Sequence, residues 1–291
     1  MQSFPSIRNL GQFFFDEDAA LGYLQNEGIL PKEKDCEACG GPTVLIKAKL
    51  MFRCRKKSCR KGFSVRKGTF FANQCHPLGK TLHLAHMWLL RNSVASIINQ
   101  CEVSSATVAS YLVYLRQLVS DALDEEDCVI GGEGIVVEID ETKMGKRKHN
   151  RGHRVEGVWV VGGVEITEDR RVFAVPVEKR DAETLLNVIK THVRPGSIIH
   201  TDMWKGYNGI EKKLGLQHHT VNHSRSFKDP KTGVHTNTIE GTWNGFKIQI
   251  PPRCRTKKDM DERLWEFAWR RANKKNLWAA FLKALREVAY L

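Results

Sequence analysis

The chain has 291 residues, with 46 Lys and Arg against 33 Asp and Glu, a formal net charge of +13. At 41% hydrophobic and 27% charged residues it has a globular composition, which excludes a wholly disordered chain. No apolar run approaches the ~18–20 residues of a membrane helix. MQSFPSIRNLGQFFFDEDAA lacks the basic start and apolar block of a secretory signal, so neither a membrane nor secretion is expected. The positive excess favours a polyanionic partner, and nucleic acid is the commonest one.

Residues 1–35 read as a helical lead-in. Asp16, Glu17 and Asp18 open a segment carrying Leu21 and Leu24, and Gly28 stops it, in keeping with helix polarity. Eight cysteines follow along the chain, four of them within 24 positions. A chain with no secretory signal is expected in a reducing compartment, so the cluster calls for a metal rather than disulfides. Cys36-x2-Cys39 and Cys54-x4-Cys59, on either side of a predicted hairpin, describe a zinc ribbon over residues 36–75 that holds one structural Zn²⁺. The other cysteines read as buried thiols.

The ribbon is strongly basic: ten Lys and Arg and no acid lie between Lys47 and Lys67. Ten charges on a compact scaffold, beside Phe52, Phe63, Phe70 and Phe71, predict phosphate-backbone contact through Arg53, Arg55, Lys56, Lys57, Arg60 and Lys61. Residues 76–127 then read as helical. Ser93–Ile98, a break at residues 99–103 and a second helix capped by Ser104 or Ser105 have the form of a helix-turn-helix. Its second helix would offer Ser105, Thr107 and Ser110 to DNA and turn Val108, Leu112 and Leu115 inward. The acidic run Asp124–Asp127 marks a boundary.

Residues 128–291 read as an α/β domain. Gly134–Asp140 is an apolar strand ending in a carboxylate, with Glu138 and Asp140 on one face. Strands at Gly157–Ile166 and Arg171–Val177, a helix over residues 181–193 and a strand ending at Asp202 come next. A helix to about Leu214, a strand at Leu216–Val221 and a helix from about Asn237 complete the order. This is the order of a ribonuclease-H-like core, a mixed sheet flanked by helices, in which adjacent strands and a helix deliver carboxylates to one edge. Asp140, Asp202 and Glu240, 62 and 38 positions apart, supply them. Hard oxygen ligands of this kind suit Mg²⁺ or Mn²⁺, two per active site, as in phosphodiester transfer. Each carboxylate also has a structural reading. Asp140 and Asp202 could cap the turns that follow them, and Asn237-x-x-Glu240 fits a helix capping box. Glu138 is a reserve metal ligand, and His235 is either packed or in contact with a ligand. Trp204 and Trp243 read as core. The basic stretch with Lys146, Arg147, Lys148 and Arg151, and the loop with Arg225, Lys228 and Lys231, would clamp phosphates.

The strings FRCRKKSCRKGFSVRKGTFF, VEIDETKMGKRK, IIHTDMWKGY and HTNTIEGTWNGFK together resemble DDE transposases of the Merlin superfamily and their bacterial insertion-sequence relatives, over nearly the whole chain. The resemblance implies a cut-and-paste DNA transposase with Asp140, Asp202 and Glu240 as its triad. Asp140 would bridge two metal ions, and Asp202 and Glu240 would hold one each. It further implies double-stranded DNA partners, the element's terminal inverted repeats and target DNA, and a homodimer or higher assembly. The protein would work in the nucleus of a eukaryote or the cytoplasm and nucleoid of a bacterium. Two other readings remain open: a host-retained DNA-binding regulator without strand transfer, and a plain metal-dependent nuclease of the same fold.

Overall fold

A computed structural model describes residues 4–145, 157–222, 228–230 and 232–290. The chain divides into two compact units, Met1–Ala122 with Lys275–Leu291, and Leu123–Lys274.

The first unit opens with α1 (Ile7–Phe15) and α2 (Glu17–Asn26). Asp16 caps α2 by accepting the Ala19 N–H at 3.0 Å. An antiparallel sheet follows: β1 (Thr43–Ile46), β2 (Met51–Cys54) and β3 (Gly62–Ser64), in that order. Next come α3 (Leu78–Leu89), α4 (Val94–Cys101) and α5 (Ser105–Asp121). The lead-in belongs to this helical body. The Glu17 carboxylate accepts the N–H groups of Leu78 and Gly79 at 2.8 and 3.0 Å, capping α3. Gly79 lets α1 approach, since a Cβ there would lie 2.7 Å from the Phe14 carbonyl oxygen. Helices α4 and α5 flank a tight turn in which Glu102 takes the left-handed conformation, φ 50°. The N-cap of α5 is Ser104, which accepts the Thr107 N–H. Val108, Tyr111 and Leu115 are buried, while Leu112 is half-buried.

The second unit is built on β4 (Val136–Met144), β5 (Val158–Glu165) and β6 (Val172–Val177), then α6 (Ala182–His192), β7 (Ile198–Asp202), α7 (Ile210–Leu214) and β8 (Gln217–Val221). Helices α8 (Asn237–Gln249) and α9 (Lys257–Ala272) follow. The five-stranded mixed sheet has the order β6-β5-β4-β7-β8. β4, β5 and β6 are antiparallel neighbours, whereas β7 and β8 run parallel to β4. Alternate residues feed two cores. Val160, Val164 and Ala174 meet Ile239, Trp243 and Phe246 of α8 and Leu264 of α9 on one face. Val137, Ile139 and Ile199 meet Leu185 and Ile189 of α6 and Ile210 of α7 on the other.

Two boundaries differ from those read in the sequence. β4 does not stop at Asp140. It stays paired with β5 from Glu141↔Val161 to Met144↔Val158, while its pairing with β7 ends at Glu138↔His200. β5 alone carries the polar residues after Asp140 as strand. The chain after α9 also leaves the second unit, where the sequence reading kept it to residue 291. Helix α10 (Leu277–Glu287) packs on α3 and α5. It buries Trp278, Phe281 and Leu285, and the Trp278 indole N–H donates to the Tyr23 hydroxyl at 2.9 Å. Among the described residues no helix is long and apolar enough to cross a membrane.

Candidate functional site

Asp140 lies on β4 just past the point where pairing with β7 ends, and Asp202 is the last residue of β7. Extending the Glu138↔His200 register by two residues puts Asp140 level with Asp202 on one face of the sheet. Helix α8 packs on that face and carries Glu240 in its first turn. Burial lifts the Asp140 carboxyl to about 7, and the charges of Glu141, Asp202 and Glu240 add to the rise. The fold thus brings the three carboxylates within electrostatic reach of one another. Asp140 and Asp202 are half-buried and Glu240 is exposed, so the group opens to solvent.

The structural readings of these acids resolve residue by residue. Asp202 does cap its turn, since Oδ1 accepts the Trp204 N–H at 3.0 Å, and its second oxygen completes the carboxylate. Glu240 does not belong to a capping box with Asn237. Thr236 holds the N-cap position without a side-chain cap bond, and Asn237 is already the first helical residue. The cap comes from Glu138 on β4, whose Oε2 accepts the N–H groups of Thr238 and Ile239 at 2.8 and 2.9 Å. Glu138 is fully buried, and its Oε1 lies 3.0 Å from His235 Nδ1. The reserve metal ligand is therefore turned to the start of α8. Trp243 is core, as read, whereas Trp204 is half-buried.

Three neighbours of the site were not legible in the sequence. Glu141 accepts a 2.6 Å bond from the Tyr207 hydroxyl and a 3.1 Å bond from Arg180 Nη1. The Arg180 guanidinium lies 3.7 Å from the Trp159 ring centroid and 4.9 Å from that of Trp204. Lys247, two turns along α8 from Glu240, places its charge near Asp140, while burial pulls its own pKa down. The one signal for any of these is the adjacency of Glu141 to Asp140. Alternation sends the two side chains to opposite faces, and Tyr207 is 66 residues further on.

In the first unit Cys36 and Cys39 meet Cys54 and Cys59. Among the described residues this is the only group of three or more His, Cys, Asp or Glu whose ligand atoms all lie within 4.8 Å. The Sγ atoms of Cys36 and Cys59 are 3.7 Å apart, and those of Cys39 and Cys54 3.6 Å. A tetrahedron with Zn–S bonds of ~2.3 Å has edges of about 3.8 Å, so the four sulfurs fit one zinc ion. The Ala38 and Cys39 N–H groups help lower the Cys36 thiol to about 7, while burial pushes the Cys54 thiol up to about 11.

The six basic residues expected to meet phosphate, Arg53, Arg55, Lys56, Lys57, Arg60 and Lys61, are all exposed along β2 and the loop to β3. Phe52, Phe70 and Phe71 are buried and serve the core. Ser105 is exposed at the start of α5, whereas Thr107 is half-buried with its hydroxyl 2.9 Å from that of Ser104. Ser110 donates to the Ala106 carbonyl. Lys146, Arg147, Lys148, Arg151, Arg225 and Lys231 lie outside the described residues.

Residues 129–272, nearly all of the second unit, match the family of ISXO2-like transposase domains. A stretch of 80 residues is 30% identical to a Haemophilus influenzae protein described as an uncharacterized transposase-like protein. That stretch is 28% of this chain and spans 63% of the relative's length.

Proposed function

We propose, from the match of residues 129–272 to the family of ISXO2-like transposase domains, that the protein is a metal-dependent DNA transposase whose reaction centre is Asp140, Asp202 and Glu240. The observation that carries the proposal is the meeting of these three carboxylates at one end of the sheet. The order β6-β5-β4-β7-β8, with three antiparallel strands followed by two parallel ones, supports a ribonuclease-H-like core.

The donors suit Mg²⁺ or Mn²⁺. Asp140, Asp202 and Glu240 would together hold the metal. When bound, such ions activate the attacking oxygen and stabilise the leaving one in phosphodiester transfer. The protein's own groups place the phosphate. Lys247 sets a positive charge beside Asp140. Water would attack the phosphodiester at the element's end, leaving a 5′ phosphate on one fragment and a free 3′ hydroxyl on the other; that hydroxyl would then attack a target phosphodiester and expel the target strand's own 3′ oxygen. The zinc-held ribbon would hold DNA phosphates through its six exposed basic residues, with the start of α5 facing bases. Two chains would join the two ends, inside the cell where the DNA is.

The test uses the full chain, DNA carrying the element's inverted repeats, and Mg²⁺. Asp140→Asn, Asp202→Asn and Glu240→Gln should each lower cleavage by orders of magnitude and leave DNA binding intact. Near-parent cleavage by Glu240→Gln would remove Glu240 from the centre. A parent protein that binds these ends without cutting them would favour the retained regulator, and one that cuts without joining would favour the plain nuclease.

A further inference from the structure

We propose that Glu138 and His200 are positioning residues, which clamp the start of α8 and so fix Glu240 relative to Asp140 and Asp202. The inference rests on reading those three as the reaction centre.

Each strand that carries one of the two aspartates carries a second functional residue two positions earlier, on the same face. Glu138 precedes Asp140 on β4, and His200 precedes Asp202 on β7. The two are paired across the parallel register. Behind the row of aspartates therefore lies a row directed at the third element. Glu138 accepts the N–H groups of Thr238 and Ile239 through Oε2, and its Oε1 is 3.0 Å from His235 Nδ1. The His200 ring lies close enough to the His235 backbone to feel it electrostatically. The segment from His235 to Ile239, which ends one residue before Glu240, is thus held by Glu138 of β4 and lies beside His200 of β7.

A local cap would satisfy the first N–H groups of α8 without this arrangement. A Ser, Thr or Asp at the N-cap does so with its own side chain and leaves the helix free to shift as a body. Thr236 occupies that position and makes no side-chain cap bond. The bonds go instead to a carboxylate 100 residues away in sequence, with no exposed surface. Burying a carboxylate is costly unless it is well bonded, and the two N–H groups and the helix dipole offset that cost. The arrangement ties the helix to the strand that carries Asp140, and His200, on the strand that carries Asp202, sits beside the same segment. A metal-binding constellation needs its donors held to within about 0.5 Å, which such ties can supply.

The experiment compares the full-length parent with Glu138→Gln, Glu138→Ala and His200→Ala. Amide hydrogen exchange is followed without metal, and Mn²⁺ affinity by electron paramagnetic resonance. In the variants, amides 236–242 should exchange faster while those of β4 and β5 keep the parent rate. Mn²⁺ affinity should fall about 10- to 100-fold. Glu138→Gln, which keeps one acceptor oxygen, should fall between Glu138→Ala and the parent. Parent-like exchange at 236–242 in folded variants would overturn the proposal, as would equal acceleration across the whole sheet. If both Glu138 variants fail to fold, His200→Ala decides by the same measurements. A parent that takes up no Mn²⁺ would sink the reaction-centre reading, while the exchange pattern would still decide whether the clamp exists.

Discussion

The indole of Trp243 sits directly on the backbone of Gly162: a Cβ on that glycine would come within 2.5 Å of the ring and 2.7 Å of the Phe173 carbonyl oxygen. Gly162 is the β5 partner of Asp140, so the missing side chain sets how closely α8 approaches the strand beside the proposed metal site. Gly162→Ala must push the indole away, because the backbone carbonyl cannot yield. Overpacking of this kind should destabilise the second unit by about 1–3 kcal/mol. Cleavage should fall further than that loss explains, since Glu240 rides on the displaced helix. Denaturant midpoints and single-turnover cleavage in the folded range separate the two effects, and a parent-like rate would show that α8 accommodates the methyl.

Metal analysis of the purified chain should give about one zinc per molecule, as four thiolates at these separations require. Cys36→Ser combined with Cys59→Ser should lose it, along with the order of β1–β3 and affinity for DNA. The second unit should keep its own unfolding transition. Full zinc content in the double variant would rule out the four-cysteine site.

Lys56→Ala should weaken binding to all DNA sequences alike and lower the slope of log affinity against log salt by about 1. Ser105→Ala, at the exposed start of α5, should instead alter the ranking of sequences with little change in salt dependence. Competition binding at several salt concentrations reads both, and an unchanged ranking for Ser105→Ala would take α5 out of base recognition.

Acid should loosen the first unit. His83 and His86 are buried on α3, where burial lowers the pKa of each, and His83 stacks on Phe14 at 5.0 Å. Their folded pKa values lie below the unfolded value of about 6.5, so the unfolded state takes up more protons as pH falls. The stability these neutral rings allow is full above about pH 6.5 and is lost as pH drops through their lowered folded values. Exchange of α3 amides between pH 7.5 and 5 should show this loss, and His83→Phe, which keeps the stack, should flatten it. A pH-independent exchange free energy in the parent would refute the assignment.

The strands and helices of the second unit were largely legible because each is a short apolar run of clear period bounded by turn residues. Val136–Ile139 and Ile198–Thr201 announce themselves as strands, and a carboxylate follows each. The rest depends on partners distant in sequence. Glu141, Thr142 and Lys143 have no apolar signature, and only pairing with β5 makes them strand. Asn237-x-x-Glu240 has the spacing of a local cap, yet the acceptor is Glu138, which no window around residue 240 contains. Arg180, Tyr207 and Glu141 meet from three separate segments. The amphipathic pattern of residues 277–287 reveals that one face will be buried, but not which unit will bury it.

That last helix gives the chain an unusual order of completion. The first unit starts at the N-terminal side but closes with α10, after the whole of Leu123–Lys274. On a ribosome adding about 5–20 residues per second, the second unit can finish folding while the first still waits, for a time on the order of ten seconds, for its closing helix. During that interval the surfaces of α3 and α5 that α10 covers are bare. A message truncated just before residue 275 would yield an intact second unit on a first unit lacking Trp278, Phe281 and Leu285 from its core.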